Sequence, residues 1–150
     1  MKEDPIIAGA TAGLIANIAK DAGNLISILL NWTNYYYWHL AASIFVEPES
    51  VKKPGALFLG FLGDNIIAAT FGIILYYLIS YTGKRFFIIK GLGLSWLLWV
   101  FLFGAVINLD IVRITPTDIG TNLSAFLNHS LFGIVSALLL KKIMKATFFS

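Results

Sequence analysis

The chain has 150 residues, of which 58% are hydrophobic and only 13% charged, with a mean hydropathy of +0.81, whereas an ordinary soluble domain is about a quarter charged. That composition describes an integral membrane protein, and several spans leave no length for a soluble catalytic domain. No cysteine is present, which excludes disulfides and thiolate chemistry. The net charge of +3 comes from Lys and Arg at the ends of apolar runs, which suits anionic headgroups rather than nucleic acid.

Pro5 stands just ahead of the first apolar run, where its missing N–H costs nothing. That run, 6–30, is IIAGATAGLIANIAKDAGNLISILL. Its length of about 37 Å exceeds the roughly 30 Å of bilayer hydrocarbon, and it is too long for a signal-peptide core. Gly9 and Gly13 make a GxxxG, and Ala12, Ala16, Ala19 and Gly23 continue a seam of small side chains that permits close approach of another helix. Asn17, Lys20, Asp21 and Asn24 fall on an adjacent face. A lysine and an aspartate at this depth must face protein or water, so the other helices are expected to supply a polar partner surface.

The next stretch opens with Trp32, Tyr35, Tyr36, Tyr37 and Trp38, rings with polar tips that suit the headgroup level. A short amphipathic helix at the interface is expected over 35–46, and a re-entrant excursion is the alternative. The loop EPESVKKPG follows.

A second span is expected over 56–80, apolar except for Asp64 and Asn65, and the short turn YTGKRFF predicts an antiparallel neighbour. The third span, 86–109, carries Lys90 near its start, Gly91 and Gly93 as loosening positions, and Trp96 and Trp99 in aromatic packing. Thr117, after Pro116, is the expected N-cap of a fourth span over 119–140, apolar except for Asn122, Asn128 and His129. The expected fold is therefore a single all-α transmembrane domain, 1–150, with four transmembrane helices and one interfacial helix.

With four spans, the side holding both termini and the 81–85 turn collects Lys2, Lys84, Arg85, Lys90, Lys141, Lys142 and Lys145, against Lys52, Lys53 and Arg113 on the other. The positive-inside rule then puts both termini in the cytoplasm. Helical rise sets Lys20, Asp64 and His129 about 21, 24 and 16 Å from that side. Asn17, Lys20, Asp21, Asn24, Asp64, Asn65, Asn128 and His129 thus share one middle layer, with Lys20 and Asp64 the expected pair. Lys20 and Asp21 point about 100° apart on a helix, which leaves Asp21 to Asn65, His129, water or another subunit.

No catalytic, metal or cofactor motif is present, and the two histidines are too few for a histidine-rich metal site. Two functions suit the polar layer, the first the expected one and the second its alternative. As glue it belongs to a structural, assembly or accessory subunit; as a path it belongs to a small oligomeric transporter or channel for protons, ions or a small polar solute. Four helices enclose little volume, and the small-residue edge of the first span invites another helix, so a homo-oligomer or a larger membrane complex is expected. The Gly- and Ala-rich first helix with its internal Lys20, together with NHSLFGIV from Asn128 to Val135, resembles small bacterial integral membrane proteins of the YqhR type. That resemblance implies a bacterial plasma-membrane protein and no catalytic role for any residue.

Overall fold

The computed structural model describes residues 4–107, 109, 111, 114, 116 and 118–146. Helix α1, Pro5–Leu29, starts where the Asp4 carboxylate accepts the N–H groups of Ile6 and Ile7 at 2.8 and 3.1 Å, satisfying donors that a helix start leaves open. It stops at Asn31, whose φ of 57° is left-handed. The Asn31 N–H reaches Ile28 O and the Trp32 N–H reaches Ser27 O, a Schellman-type closure for which asparagine is suited.

Helix α2, Tyr37–Ala42, is short, and a 3₁₀ turn covers Pro48–Ser50. Helix α3, Pro54–Thr82, begins on a proline and ends at Gly83 with φ 82°. Helix α4, Phe87–Trp99, runs into a π-helical stretch, Val100–Val106. Helix α5, Ile119–Ala146, is capped by Asp118, whose Oδ1 accepts the Thr121 N–H at 2.7 Å. Asp118 therefore caps this helix; the expected cap, Thr117, lies outside the described residues. Lys90, rather than only snorkelling, donates to the Thr82 and Gly83 carbonyls at 3.1 and 2.5 Å and closes the end of α3.

Among the described residues the protein is all helix, with no strand. Three helices are long and apolar enough to cross a membrane: Pro54–Thr82, Phe87–Val106 and Ile119–Met144. Helix α1 has comparable length, but Asn17, Lys20, Asp21 and Asn24 lower its hydropathy.

Small residues set how the helices pack. Helix α1 lies against both α3 and α5. A Cβ on Gly13 would meet the Ala68 carbonyl, and one on Gly72 would meet the Gly9 carbonyl, so these backbones touch as the GxxxG geometry requires. The seam expected to await an outside helix is thus already filled by α3. Gly91, expected to loosen α4, instead abuts Gly133 of α5, where added side chains would collide with backbone. Trp96 stacks on Phe126 with ring centres 5.6 Å apart and donates to Ser130 Oγ, while Trp99 meets the same ring edge-on. The main core, containing Phe71, Leu75, Ile79, Phe132 and Leu140, fills the half of the bundle nearer the α3–α4 turn.

The helix expected over 35–46 is shorter than expected. Only Tyr37–Ala42 is helical, and Tyr37, Leu40 and Ala42 are buried. The helix packs on α3 at Gly60, where a Cβ would strike the Trp38 carbonyl. Tyr37 has a polar partner inside the bundle, the Asn128 amide.

Candidate functional site

Lys20 and Asp64 form the centre of the polar layer. Both are buried, and Lys20 Nζ lies 2.5 Å from Asp64 Oδ1. The seam of small residues makes the pair possible, because it brings α1 and α3 close enough for one lysine to span the crossing. Asn17 Nδ2 donates to the other oxygen, Asp64 Oδ2, at 2.8 Å, so each carboxylate oxygen has a donor. The ammonium also stands 4.8 Å from the Tyr37 ring centre and 5.9 Å from that of Phe132, within cation–π range. Asn17 Oδ1 has no partner among the described residues and is buried. Asn17 borders a space of about 10 Å³ shared with Lys20, Asp64, His129 and Phe132, room for one water.

Asp21 is reached by two groups. Lys20 is 3.9 Å away, and the Trp38 indole N–H donates to Asp21 Oδ2 at 3.2 Å. Its hydrogen-bond partner is therefore Trp38, not Asn65 or His129. Helical phase does turn Lys20 and Asp21 apart, but the lysine's long stem lets one ammonium lie near both acids. Asn65 is peripheral: it donates to Phe61 O at 2.8 Å and lies a long 3.5 Å from Asn17 Nδ2.

His129 is buried, and its Nδ1 sits 2.8 Å from Ala125 O. A carbonyl can only accept, so Nδ1 carries a proton and Nε2 is the acceptor in the neutral ring. Tyr37 and Phe103 meet the ring edge-on at 5.8 and 5.9 Å. A cavity of about 60 Å³ brings Lys20, Asp64, His129 and Tyr37 to one space, walled by α2 and by Leu102, Phe103 and Val106 of the π-helical stretch. Beside the layer Phe132 packs on Phe71 of the main core, with ring centres 4.5 Å apart.

The remaining asparagines do different work. Asn24 grips the start of α2 with both ends, donating to Tyr35 O at 3.1 Å and accepting the Tyr37 N–H at 3.2 Å. Asn128 donates to Tyr37 Oη at 3.0 Å and Ser124 Oγ at 3.3 Å. It approaches α1 where Gly23 leaves room. Thr121 Oγ1 donates to Thr33 Oγ1 at 2.9 Å, adding a stitch nearer the end of the bundle. These bonds dock the α2 segment against α1 and α5.

Of the five aromatic residues expected at the interface, Trp32 and Tyr36 are exposed, Tyr35 and Trp38 half-buried, and Tyr37 buried. Tyr37 and Trp38 are the functional neighbours that composition missed. In a run of adjacent aromatics only the rotation of α2 distinguishes inward from outward, and the sequence carries no periodic pattern long enough to set it. His39, beside Tyr36 at the α2 end, has its pKa lowered by burial first and by Lys52 second. The described residues contain no group of three His, Cys, Asp or Glu that could hold a metal ion.

No protein-family model, no curated protein and no solved structure matches this chain. Function therefore rests on the geometry.

Proposed function

We propose that this is a four-span protein of the bacterial plasma membrane whose Lys20, Asp64 and His129 bind a small polar or ionic solute, protons included, and pass it as a small transporter or channel does. The cavity carries this reading: a layer that served only as glue would be dry and matched, whereas this one opens a space of about 60 Å³ onto both members of the ion pair and a histidine. Helix α1 acts as the fourth span. It packs between two apolar helices, turns Lys20 inward and presents Ile7, Ile18 and Ile26 outward, as a lipid-facing helix must.

The lysine and arginine bias orients both termini to the cytoplasm and the α2 segment, with its short helix, to the outside. The resemblance to YqhR-type proteins supports the bacterial plasma membrane. A structural or accessory role is the second reading, favoured by the close Phe71–Phe132 packing of the main core beside the layer. Either role is compatible with a homo-oligomer or a larger complex, joined through surfaces other than the filled α1 seam, such as the exposed Leu97, Val100 and Phe101 of the third span.

The test is flux of protons, sodium and small polar solutes into proteoliposomes, comparing the native chain with a Lys20→Gln, Asp64→Asn double variant. Passage through this layer requires the folded double variant to be inactive. Unaltered flux overturns the assignment, and absence of flux in the native chain favours the structural role.

A further inference from the structure

The ionisable layer is one cation short. Two carboxylates, Asp21 and Asp64, share one ammonium, and no other Lys or Arg lines this layer among the described residues. Asp64 holds the close contact and two donors. Asp21 has one hydrogen bond and a long 3.9 Å ionic contact. It also stays more open, with 23% of its side chain exposed against 11% for Asp64. A carboxylate so placed in a membrane protein is costly without a counter-charge.

What Asp21 faces is a groove of about 390 Å³, within the size range of small-molecule sites. Its walls are Tyr36, Trp38 and Phe61 on one side and Ile18 and Leu25 on the other. Trp38 and Phe61 are locked edge-to-face with ring centres 5.3 Å apart. One carboxylate among aromatic rings does not suit a metal cation, which requires several oxygen ligands. It suits an organic ammonium, whose charge is spread over alkyl groups and is attracted by both the acid and the rings.

We infer that this groove binds a hydrophobic ammonium ion, with its head against Asp21 and the Tyr36, Trp38 and Phe61 rings and its apolar part along Ile18 and Leu25. Asp21 lies eight residues before Leu29, the end of α1, or about 12 Å along the helix. The amine of a lipid headgroup does not reach that depth, so the ligand is a free amphiphilic amine or quaternary ammonium. This depth comes from the four-span reading, but binding in the groove does not depend on passage through the Lys20 cavity.

The test titrates hexyltrimethylammonium calorimetrically into the full chain in phosphatidylglycerol nanodiscs, where no lipid carries an amine. Saturation at one ligand per chain is expected. Asp21→Asn should weaken binding by at least about tenfold, and Phe61→Ala by about fivefold. Phe61 is 40% exposed, so its truncation preserves the fold and tests the site even if Asp21→Asn does not fold. The isostere with carbon in place of the ammonium nitrogen should not bind. Equal affinity for the isostere, or variants that both bind like the native chain, overturns the site. Competition by added phosphatidylethanolamine overturns the choice of a free amine, whereas unchanged affinity supports it. Cysteine accessibility at Ser50 and Ser150, run alongside, tests the topology separately.

Discussion

The buried polar layer has two halves at similar depth that are built differently. On one half Asn24, Asn128, Tyr37 and Ser124 are joined by neutral hydrogen bonds that hold the α2 segment to α1 and α5. On the other, Lys20, Asp64 and His129 surround a cavity of about 60 Å³. The difference follows from reach and charge. Amides and hydroxyls saturate one another over short distances and pack as they do so. An ammonium on a long stem meets its carboxylate at one point, needs aromatic and polar neighbours around it, and leaves space beside it. Under the proposed function the first half serves assembly and the second exchanges with a solute.

The largest test of that contrast is the ion pair. Asp64→Asn should cost about 3–5 kcal/mol, because it strands a buried ammonium, and Lys20→Gln should cost a similar amount. The double variant should recover much of the loss in a thermal-unfolding cycle measured in lipid, and strictly additive losses would show that the two side chains are not coupled. On the stitched half, Ser124→Ala should cost about 0.5–1.5 kcal/mol by removing its hydrogen bond with Asn128, while flux per folded chain stays unchanged. A fall in flux there would erase the distinction between the halves.

Filling the cavity sharpens the comparison from the other side. Ala41 borders it and is half-buried, so Ala41→Leu should cost about 1–3 kcal/mol at most yet abolish solute entry in the proteoliposome assay. The cap at the start of α5 is remote from both halves. Asp118→Ala should cost about 1 kcal/mol, seen as a lower Tm with normal flux.

The smallest effect is a pH dependence at His39. Its folded pKa lies below the unfolded value of 6.5 because burial, and then Lys52, disfavours the charged ring. The unfolded chain therefore binds the proton more readily. Stability due to the neutral ring is complete well above pH 6.5 and is lost as pH falls through that value toward the folded pKa. Unfolding curves of the native chain and His39→Gln should converge as pH falls through this window, and parallel curves would remove His39 from the pH response.

The amino-acid sequence by itself determines the helices and the central ion pair. Apolar runs become helices because a backbone in hydrocarbon must satisfy its own hydrogen bonds, and the boundaries found, such as Pro54–Thr82 against the expected 56–80, follow from prolines and glycines at the ends. The pairing of Lys20 with Asp64 is also readable from residue numbers, since depth along a helix is proportional to them and an unpaired charge at that depth is costly.

Rotation about a helix axis and the path of a short segment are decided only by tertiary structure. Whether the Gly9–Gly13 seam meets an outside helix or α3 depends on which partner's backbone can approach, and Ala68 and Gly72 provide that approach within the chain. The six residues of α2 carry too short a pattern to say which aromatic turns inward. Asn24 and Asn128, far apart along the chain, select Tyr37, and Trp38 is then left beside Asp21. The cavity is likewise a property of packing: it is the space left where α2, α3, α5 and the π-helical stretch meet without filling the volume around one lysine, and residue types and their spacing do not encode that space.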